Sequence, residues 1–238
     1  MAAPYQQVMD RVSRFTIKEK VRAMEALSAF VGQEIEMANK YKVLDQNDNE
    51  LFFVIERTDC LTRQLKQCCN DCAPWNADIL YTEGGRSEEA FKLHRDFTCT
   101  CCCLNRPVVD VTTAAGHKIG SITNPCTCCS LTLDIVDASG DNTISIDGSC
   151  CQLGLICPCP CGPCAIAHFD IKDAKGEPVG GMKKKVPGCC KWFIADDVDN
   201  YHLDVTGIAD PKTKILLMAA AIFMDFRFFN NNSNDGQT

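Results

Sequence analysis

The feature that most limits the fold of this chain is a repeated unit of two short runs, in which apolar and polar residues tend to alternate, joined by a polar turn. The first copy places residues 41–44 before the turn 45–49 and residues 51–55 after it. Further copies, each with a glycine in its turn, occupy residues 109–122, 131–146 and 169–180. Each unit is typical of a β-hairpin. Because no helical crossover separates them, the repeats predict a mostly β fold, an antiparallel sheet or a closed barrel.

The N-terminal part of the chain has a helical periodicity instead. From Gln7 to about Lys40, apolar residues recur at steps of three or four, as Ile17, Val21, Met24, Leu27 and Phe30. Thr16 and Glu19 have the spacing of a capping box. The pattern predicts an amphipathic helix packed on its own domain. A membrane-surface helix is the alternative, and a polar face that mixes glutamate with lysine and arginine argues against it.

The last predicted helix, residues 214–229, is apolar on every face until Asp225 and Arg227 interrupt it. A helix of this kind is buried either in protein or in lipid. A bilayer core needs ~20 residues, so the apolar stretch is short for a span. Its predicted core or membrane residues are Ile215, Leu216, Leu217, Met218, Ile222 and Phe223. The predicted domains are a segment at 1–40, a barrel at 41–230 and a disordered polar tail at 231–238.

The charge balance excludes some classes of function. A net charge of −7 argues against nucleic acid as a partner, since phosphate binding needs a basic surface. It also argues against electrostatic attachment to anionic lipid, so any membrane attachment needs apolar contact or covalent lipid. The four histidines are spread along the chain, and no phosphate-binding glycine loop is present. The sequence therefore does not predict an enzyme.

Nineteen cysteines form clusters along the chain, as in the run Cys99, Cys101, Cys102 and Cys103. The N-terminus has neither the basic start nor the apolar segment of a secretory signal, which leads us to expect a reducing cytosol. Two-residue gaps, as between Cys126 and Cys129, are compatible with zinc. However, consecutive cysteines on an extended chain face opposite ways. Isolated cysteines are typical of small buried apolar residues, whereas fatty acylation explains the runs.

An acidic stretch, residues 196–201, is followed by Asp204 and Asp210. Carboxylates two residues apart on a loop, with backbone carbonyls between them, can collect oxygen ligands for calcium. A solvated acidic turn explains the same pattern equally well. A basic triplet, residues 183–185, is interpreted as a solvated turn.

At these residues the chain resembles the phospholipid scramblases. The resemblance includes the strand-and-loop segment 53–64, the cluster 99–103 and Trp192. It is strongest where 197–201 leads into the helix and the terminal segment 224–229. The matches keep their order from about residue 7 to residue 230.

The resemblance implies a Tubby-like β-barrel, a closed antiparallel barrel around the C-terminal helix 214–229. It also implies calcium-stimulated, ATP-independent, bidirectional movement of phospholipids between leaflets, without covalent chemistry. The palmitoylated cluster would be Cys99, Cys101, Cys102 and Cys103. The calcium residues would be Asp197, Asp199, Tyr201, Leu203, Val205, Ile208 and Asp210. His202 and Ile208 replace the glycine and the closing glutamate of a calcium loop, so low affinity is expected.

The partners expected from this resemblance are membrane phospholipids and copies of the same chain. The expected location is the cytosolic face of the plasma membrane. One short helix cannot line a polar path for a lipid headgroup, so an oligomer or local bilayer thinning would have to assist. The alternative function is a palmitoylated scaffold or signalling adaptor that does not itself transport lipid.

Overall fold

The computed structural model describes residues 4–20, 40–57, 62, 72–100, 103–157, 162–185 and 197–229. Most of these residues belong to twelve β-strands. The strands are β1 Arg14–Lys20, β2 Lys40–Leu44, β3 Glu50–Arg57, β4 Trp75–Glu83, β5 Arg86–Arg95, β6 Val108–Thr113, β7 Lys118–Thr123, β8 Ser130–Asp137, β9 Asn142–Ser149, β10 Ile166–Asp173, β11 Pro178–Lys185 and β12 Asp197–Asp204. The helices are α1 Pro4–Arg11, α2 Leu153–Ile156 and α3 Pro211–Met224, with a 3₁₀ turn at Gly162–Cys164 and a π-helical segment at Asp225–Phe229.

The strands close into a single antiparallel barrel. Each strand pairs with the next along the chain, and β12 pairs with β1 to complete the ring. The four sequence repeats form the hairpins β2–β3, β6–β7, β8–β9 and β10–β11. The prediction of a mostly β, closed antiparallel barrel around a C-terminal helix is confirmed.

Three of the tight turns have the same pattern of hydrogen bonds from the backbone to an aspartate side chain. Asp45, Asp137 and Asp173 each accept hydrogen bonds from backbone N–H groups two and four residues further along. Gly140 and Gly176 supply the positive φ, 95° and 82°, that two of these turns require. The same turn chemistry at repeated positions explains why the hairpins are recognisable in the sequence.

Helix α3 fills the barrel, with every side chain from Lys214 to Met224 buried. Asp210 caps its first turn by accepting a hydrogen bond from the backbone N–H of Thr213 at 2.8 Å. Because barrel strands surround α3, no face of it needs to be polar. The barrel wall therefore explains why the helix is apolar all round.

Helix α1 covers the end of the barrel at which α3 begins. Met9 and Val12 are buried in the core, and the ring centroids of Tyr5 and Phe91 lie 4.7 Å apart. The buried Nζ of Lys214 donates to the backbone oxygens of Met9 and Val12 at 2.9 and 2.8 Å. These bonds add a side-chain donor to one carbonyl in the last turn of α1 and to one just after it, where helix geometry provides few backbone donors.

The prediction of one helix from Gln7 to Lys40 is wrong for Arg14–Lys20, which forms β1. In β1, Ile17 lies opposite Val43 of β2 and Tyr201 of β12. Pairing with strands distant in sequence, and burial of Phe15 and Ile17 in the core, outweigh the local helical pattern. The remaining residues of the predicted apolar face, Val21, Met24, Leu27 and Phe30, lie outside the described residues.

Candidate lipid-facing site

Because consecutive strands are antiparallel, the connections between them lie alternately at the two ends of the barrel. The connections that leave β2, β4, β6, β8 and β10 are short turns at one end, which we call the turn end. All nineteen cysteines of the sequence fall in the five connections that leave β3, β5, β7, β9 and β11. These five connections begin and end at the opposite end of the barrel. We call its described residues, 72–74, 96–100, 103–107, 124–129, 150–157 and 162–165, the cysteine end.

The predicted acylation cluster belongs to the connection between β5 and β6. Cys99 and Cys103 are exposed free thiols, whereas Cys101 and Cys102 lie outside the described residues. The connection is folded back on itself, because Thr100 Oγ1 donates to the backbone oxygen of Asn105 at 2.9 Å. Asn105 in turn donates from its side chain to the backbone oxygen of Cys99 at 3.3 Å. Because the thiols of Cys99 and Cys103 are exposed, both are accessible to reagents and to enzymes.

The other described cysteines are also free thiols. Cys72 is buried, Cys150 and Cys164 are half-buried, and the exposed ones are Cys126, Cys128, Cys129, Cys151 and Cys157. Within the part of the chain that the structure describes, no three histidine, cysteine or acidic side chains are placed to hold a metal ion. The zinc alternative therefore gains no support from these residues.

The structure places the predicted calcium residues along a strand and the loop that follows it. Asp197 and Asp199 belong to β12, at the end of the strand nearest the cysteine end. Tyr201 and Leu203 are buried in the core, as are Val205 and Ile208 after the strand. Asp210 caps α3 at the turn end. Because a strand of eight residues spans ~26 Å, Asp197 lies far from Asp210. The fold thus separates the predicted ligands, and the calcium site stays a prediction.

The predicted core or membrane residues of α3 lie inside the barrel. Ile215, Leu216, Leu217, Met218, Ile222 and Phe223 are each at most 2% exposed. Of the two environments open to this helix from its sequence, the structure shows the protein core. Among the described helices, none combines the length and the apolar character needed to span a membrane.

A buried polar cluster at the C-terminal end of α3 was not predicted. Asp225 accepts hydrogen bonds from Tyr41 at 2.8 Å, Tyr201 at 2.8 Å and Lys184 at 2.6 Å. Burial, together with the charge of Asp225, raises the pKa of both tyrosines well above its usual value. The Nζ of Lys184 also lies 4.2 Å from the ring centroid of Phe229.

Two signals in the sequence pointed to this cluster. One is the charged residue Asp225 within an apolar segment, and the other is the basic triplet 183–185. The interpretation of the triplet as a solvated turn is wrong, since its residues end β11 and Lys184 points towards Asp225. Pairing of β11 with β12 places Lys184 opposite Tyr201, a contact that the local sequence does not reveal.

Comparison with known proteins identifies relatives over nearly the whole chain. The scramblase family profile matches residues 5–231. Phospholipid scramblase 2 of Bos taurus is 27% identical over 229 residues, which are 95% of this chain and 71% of that protein. Phospholipid scramblase 1 of Mus musculus is 24% identical, with 98% of this chain and 66% of that protein aligned. The human phospholipid scramblase 1 is also 24% identical, over 98% of this chain and 68% of its own length. No solved structure gives a significant match.

Proposed function

Because this chain belongs to the scramblase family, we propose that it moves phospholipids between the two leaflets of a membrane. The observation that carries this proposal is the family match over residues 5–231, which includes all twelve strands and α3. The finer proposal is that this movement is bidirectional, independent of ATP and stimulated by calcium. The activity is transport of lipid, with no bond made or broken.

The filled interior of the barrel constrains the route of the lipid. Leu217, Met218 and Ala220 have no exposed surface, because α3 packs against the strands around it. A phospholipid headgroup needs polar partners along its whole path. We therefore propose that headgroups move along the outside of the protein, where the bilayer is locally thinned or where copies of the chain meet. A route through the barrel would require α3 to leave it.

Attachment to the membrane is proposed to depend on palmitate bound to Cys99, Cys101, Cys102 and Cys103. The exposure of Cys99 and Cys103 at the cysteine end supports this assignment. Stable anchoring requires two signals, and a cluster of four thiols supplies several. The proposed location is the cytosolic face of the plasma membrane, where thioesters form on reduced cysteines.

Reconstitution of the purified protein into liposomes tests the transport proposal. The liposomes carry a fluorescent phospholipid in both leaflets, and a reductant that cannot cross the bilayer destroys the fluorophore in the outer leaflet. Leaflet exchange would expose the inner pool, so the loss of fluorescence would exceed that of protein-free liposomes. If the two preparations give the same loss at high calcium, the transport proposal is wrong and the adaptor alternative is favoured.

The calcium proposal needs its own variants in the same assay. We expect Asp197→Asn combined with Asp199→Asn to shift half-maximal stimulation to higher calcium, because two carboxylate ligands are removed. Asp141→Asn, in a turn at the far end of the barrel, is the matched control and should leave the calcium dependence unchanged. An unchanged calcium dependence in the double variant would remove Asp197 and Asp199 from any calcium site.

A further inference from the structure

The large apolar side chains that the described structure leaves exposed are concentrated at one end of the barrel. They are Phe97, Leu104, Val108, Leu153 and Ile156. Val108 begins β6 at the cysteine end, and the other four lie in the connections after β5 and β9. Singly exposed apolar residues need no explanation, but a set confined to one end marks a surface that contacts an apolar partner.

Leu153 and Ile156 belong to helix α2, whose start is attached to the barrel by hydrogen bonds. The side-chain nitrogen of Gln152, the residue before α2, donates to the backbone oxygen of His168 at 2.7 Å and to that of Ser149 at 3.0 Å. The Gln152 side-chain oxygen accepts the backbone N–H of His168 at 2.6 Å. Both amide atoms of one side chain thus bind the start of α2 to β10 and to the end of β9.

The packing of α2 determines which of its faces is free. A Cβ added to Gly154 would lie 2.7 Å from the backbone oxygen of Ile166, so this residue sits directly against β10. Leu155 packs against the barrel core. Leu153 and Ile156, three residues apart and therefore on one face, remain 52% and 65% exposed. The face of α2 that carries Leu153 and Ile156 is therefore opposite the face that Gly154 and Leu155 pack against the barrel.

The charge distribution indicates what this face contacts. The connection between β9 and β10, residues 150–165, contains no charged residue, and neither do residues 124–129. The turn end, in contrast, carries carboxylates such as Asp45, Asp137 and Asp173. Burying a charge in hydrocarbon is costly, whereas an uncharged apolar surface enters it readily. The connection after β5, in contrast, contains Asp96 and Arg106, so within the cysteine end the uncharged residues 124–129 and 150–157 are the part that fits a lipid bilayer.

We propose that α2 is a bilayer-inserting wedge: Leu153 and Ile156 enter the acyl-chain boundary of a phospholipid membrane when the cysteine end docks on it. This inference rests on the proposed function to the extent that the protein works at a membrane. It adds a contact formed by apolar side chains, separate from the acylated cluster after β5. Contact through α2 also determines the orientation of the protein on the membrane. The cysteine end contacts the membrane, and the turn end points away from it.

Flotation of unacylated protein with phosphatidylcholine vesicles tests the wedge without any contribution from palmitate or anionic lipid. We expect Leu153→Ser combined with Ile156→Ser to lower the vesicle partition coefficient by about tenfold or more. The matched control, Lys175→Ser with Glu177→Ser, changes two exposed residues at the turn end and should float like the parent. Unchanged thermal unfolding of both variants would show that folding is intact. If the wedge variant floats like the parent, or if the parent does not float, the proposal is wrong.

A depth measurement provides a second readout. Ile156→Trp should add fluorescence that lipids brominated on their acyl chains quench, whereas Lys175→Trp should add fluorescence that they do not. Absence of quenching at position 156 would contradict insertion. A self-associating parent whose wedge variant becomes monomeric, without any effect on flotation, would instead assign this face to a second copy of the chain.

These results are independent of leaflet exchange. A protein that floats through Leu153 and Ile156 but fails to exchange lipid would refute the transport proposal and leave the wedge standing.

Discussion

Asp225 is conspicuous in the sequence, and in the structure it is hydrogen-bonded to three side chains from distant parts of the chain. In the sequence it interrupts an apolar segment, and an ionised carboxylate in an apolar interior is costly unless it is paired. The structure supplies that pairing, since Tyr41 donates to Oδ2 of Asp225 while Lys184 and Tyr201 both donate to Oδ1. The residue that shortens the apolar segment therefore also ties the end of α3 to β2, β11 and β12.

We predict that Asp225→Asn destabilises the protein by about 3 kcal/mol, because the substitution leaves the charge of the largely buried Lys184 uncompensated. The free energy of unfolding, measured in urea, checks this value. Asp110→Asn is the control, since it breaks the exposed ion pair with Lys118 and should cost less than about 1 kcal/mol. Equal losses in the two variants would show that the buried cluster adds no more than a surface pair.

The tyrosines of this cluster predict a dependence of stability on alkaline pH. Burial first, and then the charge of Asp225, raises the pKa of Tyr41 and Tyr201 well above 10.0. Above pH 10 the unfolded chain loses these protons while the folded chain keeps them, so the folded state becomes less favourable. We expect the contribution of these two tyrosines to the free energy of unfolding to be constant below that pH and to fall above it.

Unfolding experiments in urea between about pH 8 and pH 11 would measure this fall. The control is Tyr41→Phe combined with Tyr201→Phe, which removes both titrating groups and should flatten the dependence. A parent protein as stable at the alkaline limit of this range as at its start would contradict the prediction.

At the scale of elements, the barrel depends on close contact between α3 and its wall. A Cβ added to Gly120 of β7 would lie 2.8 Å from a methyl carbon of Leu216 and 2.4 Å from the backbone oxygen of Val136. A glycine at this point lets the strand approach both the helix and β8. The helical periodicity of the apolar segment does not predict which strand it touches, because that depends on how the barrel closes.

We predict that Gly120→Ala destabilises the protein by about 1–3 kcal/mol, through overpacking against Leu216 and Val136. Gly181→Ala is a matched control in another strand, since the Cβ added there would meet a single atom, the backbone oxygen of Phe169, at 3.7 Å. Denaturant midpoints of the two variants test the comparison. If Gly181→Ala costs as much as Gly120→Ala, the helix contact is not the cause.

At the scale of the whole molecule, the antiparallel topology brings distant parts of the sequence to one surface. The connections after β5 and β9 are separated by four strands, yet both lie at the cysteine end with exposed thiols and exposed apolar side chains. The carboxylates of three tight turns lie at the other end. The two ends of the barrel therefore differ in the side chains that they expose, which is the basis of the proposed membrane contact at the cysteine end.

We predict that serine at positions 99, 101, 102 and 103 together moves most of the protein from the membrane fraction of cells to the soluble fraction. The reason is that the wedge of α2 alone gives weak, reversible binding, whereas acyl chains add about 0.8 kcal/mol per buried methylene. Serine at Cys126, Cys128 and Cys129 is the control and should leave the distribution unchanged. Hydroxylamine, which cleaves thioesters, should release the parent protein but not add to the effect of the first variant.

The features that could be predicted from the sequence depend on interactions between residues close together in the chain. The turn chemistry of Asp45, Asp137 and Asp173 acts within four residues, so the hairpins and the barrel class were predictable. The apolar segment 215–224 was equally recognisable, and the order of motifs along the chain was enough to show the resemblance to the scramblases.

The features that could not be predicted depend on contacts between residues far apart in the chain. Tyr41 and Asp225, hydrogen-bonded in the core, are 184 positions apart, and no periodicity reports such a pair. Residues 14–20 have a helical periodicity but form strand β1, because they pair with β12 and close the barrel. The closed barrel encloses α3. Antiparallel pairing of the strands also places the exposed thiols, Leu153 and Ile156 at the cysteine end. No single sequence motif indicates that these residues share one end of the barrel.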